Sequence, residues 1–234
     1  MPVPDLVRGF IRFGYRHFYN RFAFTYDFVS AVVSRGDWRA WTGAAIPFLR
    51  GPRLLELAFG TGNLQLDLAQ AGFRPIGVDL SPYMIAITRR KLESRALPVR
   101  LVRAHARRLP FPDGHFDSIV MTFPPGFATD IRVMDELHRV LSPAGRLVWV
   151  DVPYLYPRDR WSRLLNWALR IAGGAAEPRA RELSGLDHRP ARSGPRIESL
   201  AELLPRNGWN WKIERTLRRA GYIHVFIGTP VGLE

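Results

Sequence analysis

Glu56 and Asp79 are acids placed near the ends of two short apolar runs, 23 residues apart, and the first run turns on Gly60 and Gly62 within the stretch LLELAFGTGN (54–63). A strand that ends in an acid and passes through a glycine turn into a helix brings backbone amides and a carboxylate to one spot at a sheet's carboxyl edge. Gly60 and Gly62 permit positive φ and close backbone approach. A carboxylate at the end of the next strand can take both hydroxyls of a ribose. Together the two acids flank one crevice. A dinucleotide site is disfavoured, because Gln65 stands where the third glycine of that fingerprint belongs and the pyrophosphate cradle is incomplete.

Short leucine-rich or β-branched runs alternate with helical segments from Arg53 onward, the pattern of a parallel sheet with crossover helices. The expected strands are Arg53–Ala58, Pro75–Leu80, Val99–Ala104, Phe116–Phe123 and Gly145–Val152. The expected helices are Asn63–Ala71, Pro82–Arg95 and Asp130–Leu141, with Ser81 as N-cap before Pro82. A further helix is expected over Ile197–Arg206, and Trp211–Arg218 with Tyr222–Gly228 read as a closing antiparallel hairpin. The fold class is α/β, a Rossmann-like doubly wound sheet, mostly parallel, with helices on both faces and a C-terminal antiparallel hairpin. Residues 1–50 read as a helical cap or lid and 51–234 as the main domain. An insertion at 153–196 includes a Gly, Pro, Ala and Arg-rich loop over 173–196.

The formal net charge is +13, from a chain whose only lysines are Lys91 and Lys212; such an excess points to an anionic partner. No run approaches the roughly 18 to 20 apolar residues of a membrane span, and the N-terminus lacks the pattern of a secretory signal. The chain has no cysteine, which excludes disulfides, thiolate metal sites and cysteine nucleophiles. The expected location is cytoplasmic, with peripheral attachment at the inner membrane face as its extension, and no metal is expected.

With those motifs in order, the chain resembles class I S-adenosylmethionine-dependent methyltransferases over roughly residues 18–147. LLELAFGTGN resembles that family's first motif, GVDLSPYMI (77–85) its ribose-binding motif, LPFPDGHFDSIV (109–120) the lead into the fourth strand, and ELHRVLSPAGRLVWVD (136–151) the helix, turn and fifth strand. The resemblance implies S-adenosylmethionine as cofactor. Glu56 would hold its ammonium, Gly60 and Gly62 would admit the ligand to the backbone, Asp79 would bind the ribose, and Leu80 and Met84 would pack on the adenine. For Met84, helix core is an equally open reading. Thr122 would close the cofactor side at the fourth strand. Two positions depart from the family. Ala58 replaces a usual glycine, which is tolerable if its φ is negative. His105 replaces an acid that would accept from the adenine amino group. A neutral imidazole accepts only through its bare nitrogen, which leaves Ala106 to supply a backbone adenine contact.

Methyl transfer needs chiefly a positioned nucleophile and a dry site, so no catalytic residue is assigned, and spacing selects no base among His17, His115, His138, His188 and His224. Phe123 in TFPPGF (122–127) replaces the polar residue found in methyltransferases that modify base amino groups. The stretch FYNRFAFTYD (18–27) resembles the opening helices of quinone-biosynthesis and phospholipid methyltransferases, which implies Tyr26 as a lid over the cofactor. RDRWSRLLNWALRIA (158–172) forms a basic amphipathic helix pattern suited to a lipid interface or to capping the domain's own core. Tyr154, Tyr156 and Trp161 are the expected substrate walls. The favoured function is methylation of a small-molecule or lipophilic acceptor, a quinone precursor or lipid headgroup, near an anionic membrane surface. An RNA or DNA methyltransferase and a non-catalytic S-adenosylmethionine-binding protein are the alternatives. The oligomeric state is not in the sequence.

Overall fold

A computed structural model describes residues 36–124, 126–156, 204–205, 208–218 and 221–231. Tyr26, Trp161, the 158–172 pattern and the 173–196 loop lie outside these residues.

The sheet is built from β1 (Arg53–Leu57), β2 (Arg74–Asp79), β3 (Leu101–Arg103), β4 (Phe116–Thr122), β5 (Leu141–Val150), β6 (Tyr154–Leu155), β7 (Trp209–Leu217) and β8 (Gly221–Pro230). Its helices are α1 (Trp38–Thr42), α2 (Asn63–Gln70), α3 (Pro82–Glu93) and α4 (Ile131–Val140). The strands run in the order β3-β2-β1-β4-β5-β8, parallel through β5, with β7 antiparallel on the outer side of β8. The order reverses between β1 and β4, and that reversal opens a crevice beyond the carboxyl ends of the parallel strands.

β1 carries Leu54, Leu55 and Leu57 because it is covered on both faces. Leu55 and Leu57 enter the core that α4 covers, while Leu54 enters the opposite core with Leu64 and Leu68 of α2. α4 buries Val133, Met134, Leu137 and Val140, the stripe that a 3.6-residue period sets on one side. Its N-cap Asp130 accepts from the Arg132 N–H at 3.0 Å. Ser81 caps α3 by accepting from the Met84 N–H at 3.4 Å, with Pro82 in the first turn.

The doubly wound sheet, its helices on both faces and its antiparallel C-terminal strands are those the sequence leads one to expect. Two expectations are corrected. The segment assigned wholly to an insertion begins inside the sheet, since Tyr154–Leu155 pair with Tyr222 and Gly221 of β8. This pairing joins residues far apart in sequence, and a two-residue strand has no periodicity to read. Leu204 and Pro205, the described part of the expected Ile197–Arg206 helix, are not helical; proline has no N–H to donate and disfavours helical backbone in the residue before it. Among the described residues no helix is long and apolar enough to cross a membrane.

Candidate functional site

A cavity of about 820 Å³ opens at the carboxyl ends of β1, β2 and β4. Glu56, Ala58, Gly60, Asp79, Leu80, His105, Ala106 and Thr122 all line it, so eight residues drawn from four stretches of chain meet in one space.

Glu56 is 1% exposed, and its Oε2 has no hydrogen-bond partner among the described residues. Burial pushes the carboxyl up to about 8, tempered by the neighbouring Gln65 amide and reinforced by the negative charges of Asp79 and Asp67. A buried acceptor left open costs free energy unless a donor arrives. The residue is poised for a cation.

Asp79 is held differently. Its Oδ2 accepts from the Gly60 N–H at 3.1 Å and its Oδ1 from the Ser81 N–H at 2.8 Å. Burial pushes its pKa up, and these backbone donors oppose the rise. Each oxygen keeps a second lone pair, so a vicinal diol can still donate to it. An ammonium group some distance from a diol is the donor set these two acids fit, and a nucleoside carrying an amino-acid tail has both.

The turn between β1 and α2 is pinned from several sides. The Ala58 N–H donates to Val78 O at 2.7 Å and the Gly62 N–H to Phe59 O at 3.1 Å, while the Thr88 hydroxyl donates to Gly60 O at 3.1 Å. Three expectations change here. Ala58 has φ 56°, not a negative value, so it sits in the left-handed region at a cost of about 1–2 kcal/mol for a residue with a Cβ. Gly62 (φ 75°) does not line the cavity; the Thr88 side chain fills the space its Cβ would occupy. Its glycine serves the packing of α2 against α3. Met84 is 0% exposed and packs with Phe59, away from the cavity, so the helix-core reading describes its place. Leu80, by contrast, is 57% exposed at the rim.

His105 accepts the Arg107 N–H on Nδ1 at 3.1 Å. Its bare nitrogen is therefore taken, and the neutral ring offers the cavity only the Nε2–H donor. It cannot replace an acid as acceptor. Tyr154 and Tyr156 do not line the cavity; Tyr154 stacks on Tyr222 with centroids 5.1 Å apart.

Sequence reasoning missed Thr42, Arg103 and Phe127 as lining residues. It also missed that Trp38 and Phe123, with ring centroids 4.7 Å apart, form one aromatic wall. No local signal marks them. Phe123, at φ 48°, is a second strained residue on this wall, and such strain collects where function fixes geometry.

Residues 54–145 match the methyltransferase domain family. The chain is 42% identical over 134 residues to a demethylmenaquinone methyltransferase of Thermus thermophilus, covering 55% of this chain and 61% of that one. It is 29% identical over 197 residues to a demethylmenaquinone methyltransferase of Symbiobacterium thermophilum, covering 76% and 77%. The matched stretch thus spans about three-fifths of the Thermus relative's length. Among solved structures, an S-adenosylmethionine-dependent methyltransferase of Thermotoga maritima superposes with a TM-score of 0.62 at 19% identity, covering 92% of this chain and 99% of that one, which shows the shared fold.

Proposed function

We propose that this chain, whose residues 54–145 match the methyltransferase domain family, transfers a methyl group from S-adenosylmethionine to a quinone precursor. The observation that carries the reading is the buried, unpartnered Glu56 Oε2 facing the same cavity as the diol-ready Asp79. The names of the Thermus and Symbiobacterium relatives supply the acceptor class.

In this reading S-adenosylmethionine, when bound, supplies an electrophilic methyl group on a positively charged sulfur. Glu56 pairs with its ammonium. Asp79 takes the ribose hydroxyls, and the backbone of Ala106 meets the purine edge while Leu80 covers one face. Gly60 lets the backbone come close, and Thr122 with Phe123 walls off the transfer end from water. His105 adds a donor where an acceptor would be expected, so the purine is held by the backbone and by apolar contact. Residues 51–234 then act as the methyltransferase domain, with 1–50 as its cap and Tyr26 above the cofactor. A lipophilic acceptor and a net charge of +13 suit work at an anionic membrane surface, reached from the inner face.

Incubation with methyl-labelled S-adenosylmethionine and either a reduced demethylnaphthoquinone, total lipid extract or total RNA tests this. Label in the naphthoquinol is expected. Label confined to RNA, or no transfer by a chain that binds cofactor, would refute it.

A further inference from the structure

β8 runs antiparallel to β5, so its first residues lie at the edge where the parallel strands end and the cavity opens. The β5–β8 register reaches Val150↔Val225, and the Asp151 N–H continues it by donating to His224 O at 3.0 Å. β7 contributes Arg215 opposite His224. Three ionisable residues therefore form one cross-strand row. The row lies one strand from the cavity, because Thr122 on its rim pairs with Val150.

The histidine in this row cannot serve as a base. Arg215 Nε–H donates to His224 Nε2 at 3.3 Å, which occupies the only nitrogen able to take a proton and leaves the other already protonated. Burial, with the Arg215 charge second, pushes its pKa down to about 4, and the ring is 4% exposed. The Arg215 guanidinium also lies 4.9 Å from the Tyr222 ring centroid, which fixes it in place. Asp151 is the contrasting member. The residue is half-buried, and burial of its carboxyl raises it to about 6 against the Val152 N–H. Beside it, Tyr154 stacks on Tyr222 at an interplanar angle of 29°, which gives a planar apolar platform backed by a second ring.

We propose that Asp151 is the general base for the acceptor, removing the proton of a hydroxyl on an aromatic ring that lies against Tyr154. This rests on the methyltransferase reading above. The carboxylate takes the hydroxyl proton. The oxyanion's electron pair, on oxygen or delocalised to the adjacent ring carbon, forms the bond to the methyl carbon, and the methyl–sulfur bond breaks with its pair on sulfur. Where carbon is methylated, the ring proton at that carbon is lost and the oxygen regains one. Asp151 finally releases its proton to solvent.

The test compares the wild-type chain and Asp151→Asn on a series of substituted 1,4-dihydroxynaphthalenes of graded hydroxyl acidity. Calorimetric binding of S-adenosylhomocysteine is measured for both proteins. Asp151→Asn should bind S-adenosylhomocysteine unchanged and lose about 100-fold in kcat/KM on the least acidic acceptor, with the loss shrinking toward none on the most acidic. A loss equal across the series, or no loss, overturns the proposal, since a merely structural residue is blind to acceptor acidity. A wild-type chain that binds S-adenosylhomocysteine but methylates no member overturns the base assignment and the quinol acceptor together, while the cofactor site stands. A chain that fails to bind it overturns the methyltransferase reading as well.

Discussion

Substituting Glu56→Gln removes a titratable group and keeps the side chain's shape. Its folded-state carboxyl lies at about 8 against an ordinary value of 4.5. Between those values the folded state holds a proton that the unfolded chain has lost, so stability falls as pH rises. The slope is about 1.4 kcal/mol per pH unit, and the full penalty, reached above pH 8, is about 5 kcal/mol. A glutamine carries none of it. Urea unfolding of both proteins from about pH 5.5 to about pH 8.5 should therefore show the variant's advantage growing by about 3 kcal/mol. The same group governs cofactor binding. At neutral pH the cofactor's ammonium must displace the proton on Glu56, so about one proton is released per ligand bound. Calorimetry of S-adenosylhomocysteine in buffers of different ionisation heat reads that release directly, and Glu56→Gln should abolish it and weaken binding. Parallel stability profiles, together with buffer-independent binding heats, would show that Glu56 is neither desolvated nor the ammonium's partner.

Other expectations are narrower. Ala58→Gly relieves a left-handed alanine and should raise the unfolding free energy by about 0.5–1 kcal/mol, read by denaturant titration. Gly62→Ala forces a Cβ onto Thr88 at positive φ and should cost more than about 1 kcal/mol; if it is neutral, the Thr88 packing account fails. Asp79→Asn keeps an acceptor but loses charge, and should weaken S-adenosylhomocysteine binding about tenfold. His105→Asp can keep the turn with one oxygen and offer the other to the adenine amino group, so tighter calorimetric binding is expected. His224 sets the acid limb of stability. Its folded value of about 4 lies below the ordinary 6.5, so the unfolded state gains its proton first and stability drops as pH falls through that window. His224→Phe should flatten the drop.

Local pattern carried much of this protein. The β-strand and helix periods, Pro82 after Ser81, and an acid near the end of each of the first two strands are properties of neighbouring residues. They suffice to place Glu56 and Asp79 at one edge of the sheet. Tertiary structure decided what depends on distant partners. Gly62 is required by Thr88, 26 residues on, and Met84 is hidden by Phe59. Tyr154 is a sheet residue only because Tyr222 pairs with it, 68 residues later. His105 faces the cavity as a donor because the Arg107 N–H, two residues on, takes its other nitrogen. The left-handed backbone at Ala58 is imposed by the pinned turn. Side-chain type is written in the chain; backbone sign at a turn, burial and the resulting proton affinities of Glu56, Asp151 and His224 arise only when packed neighbours exclude water and commit each lone pair to a partner.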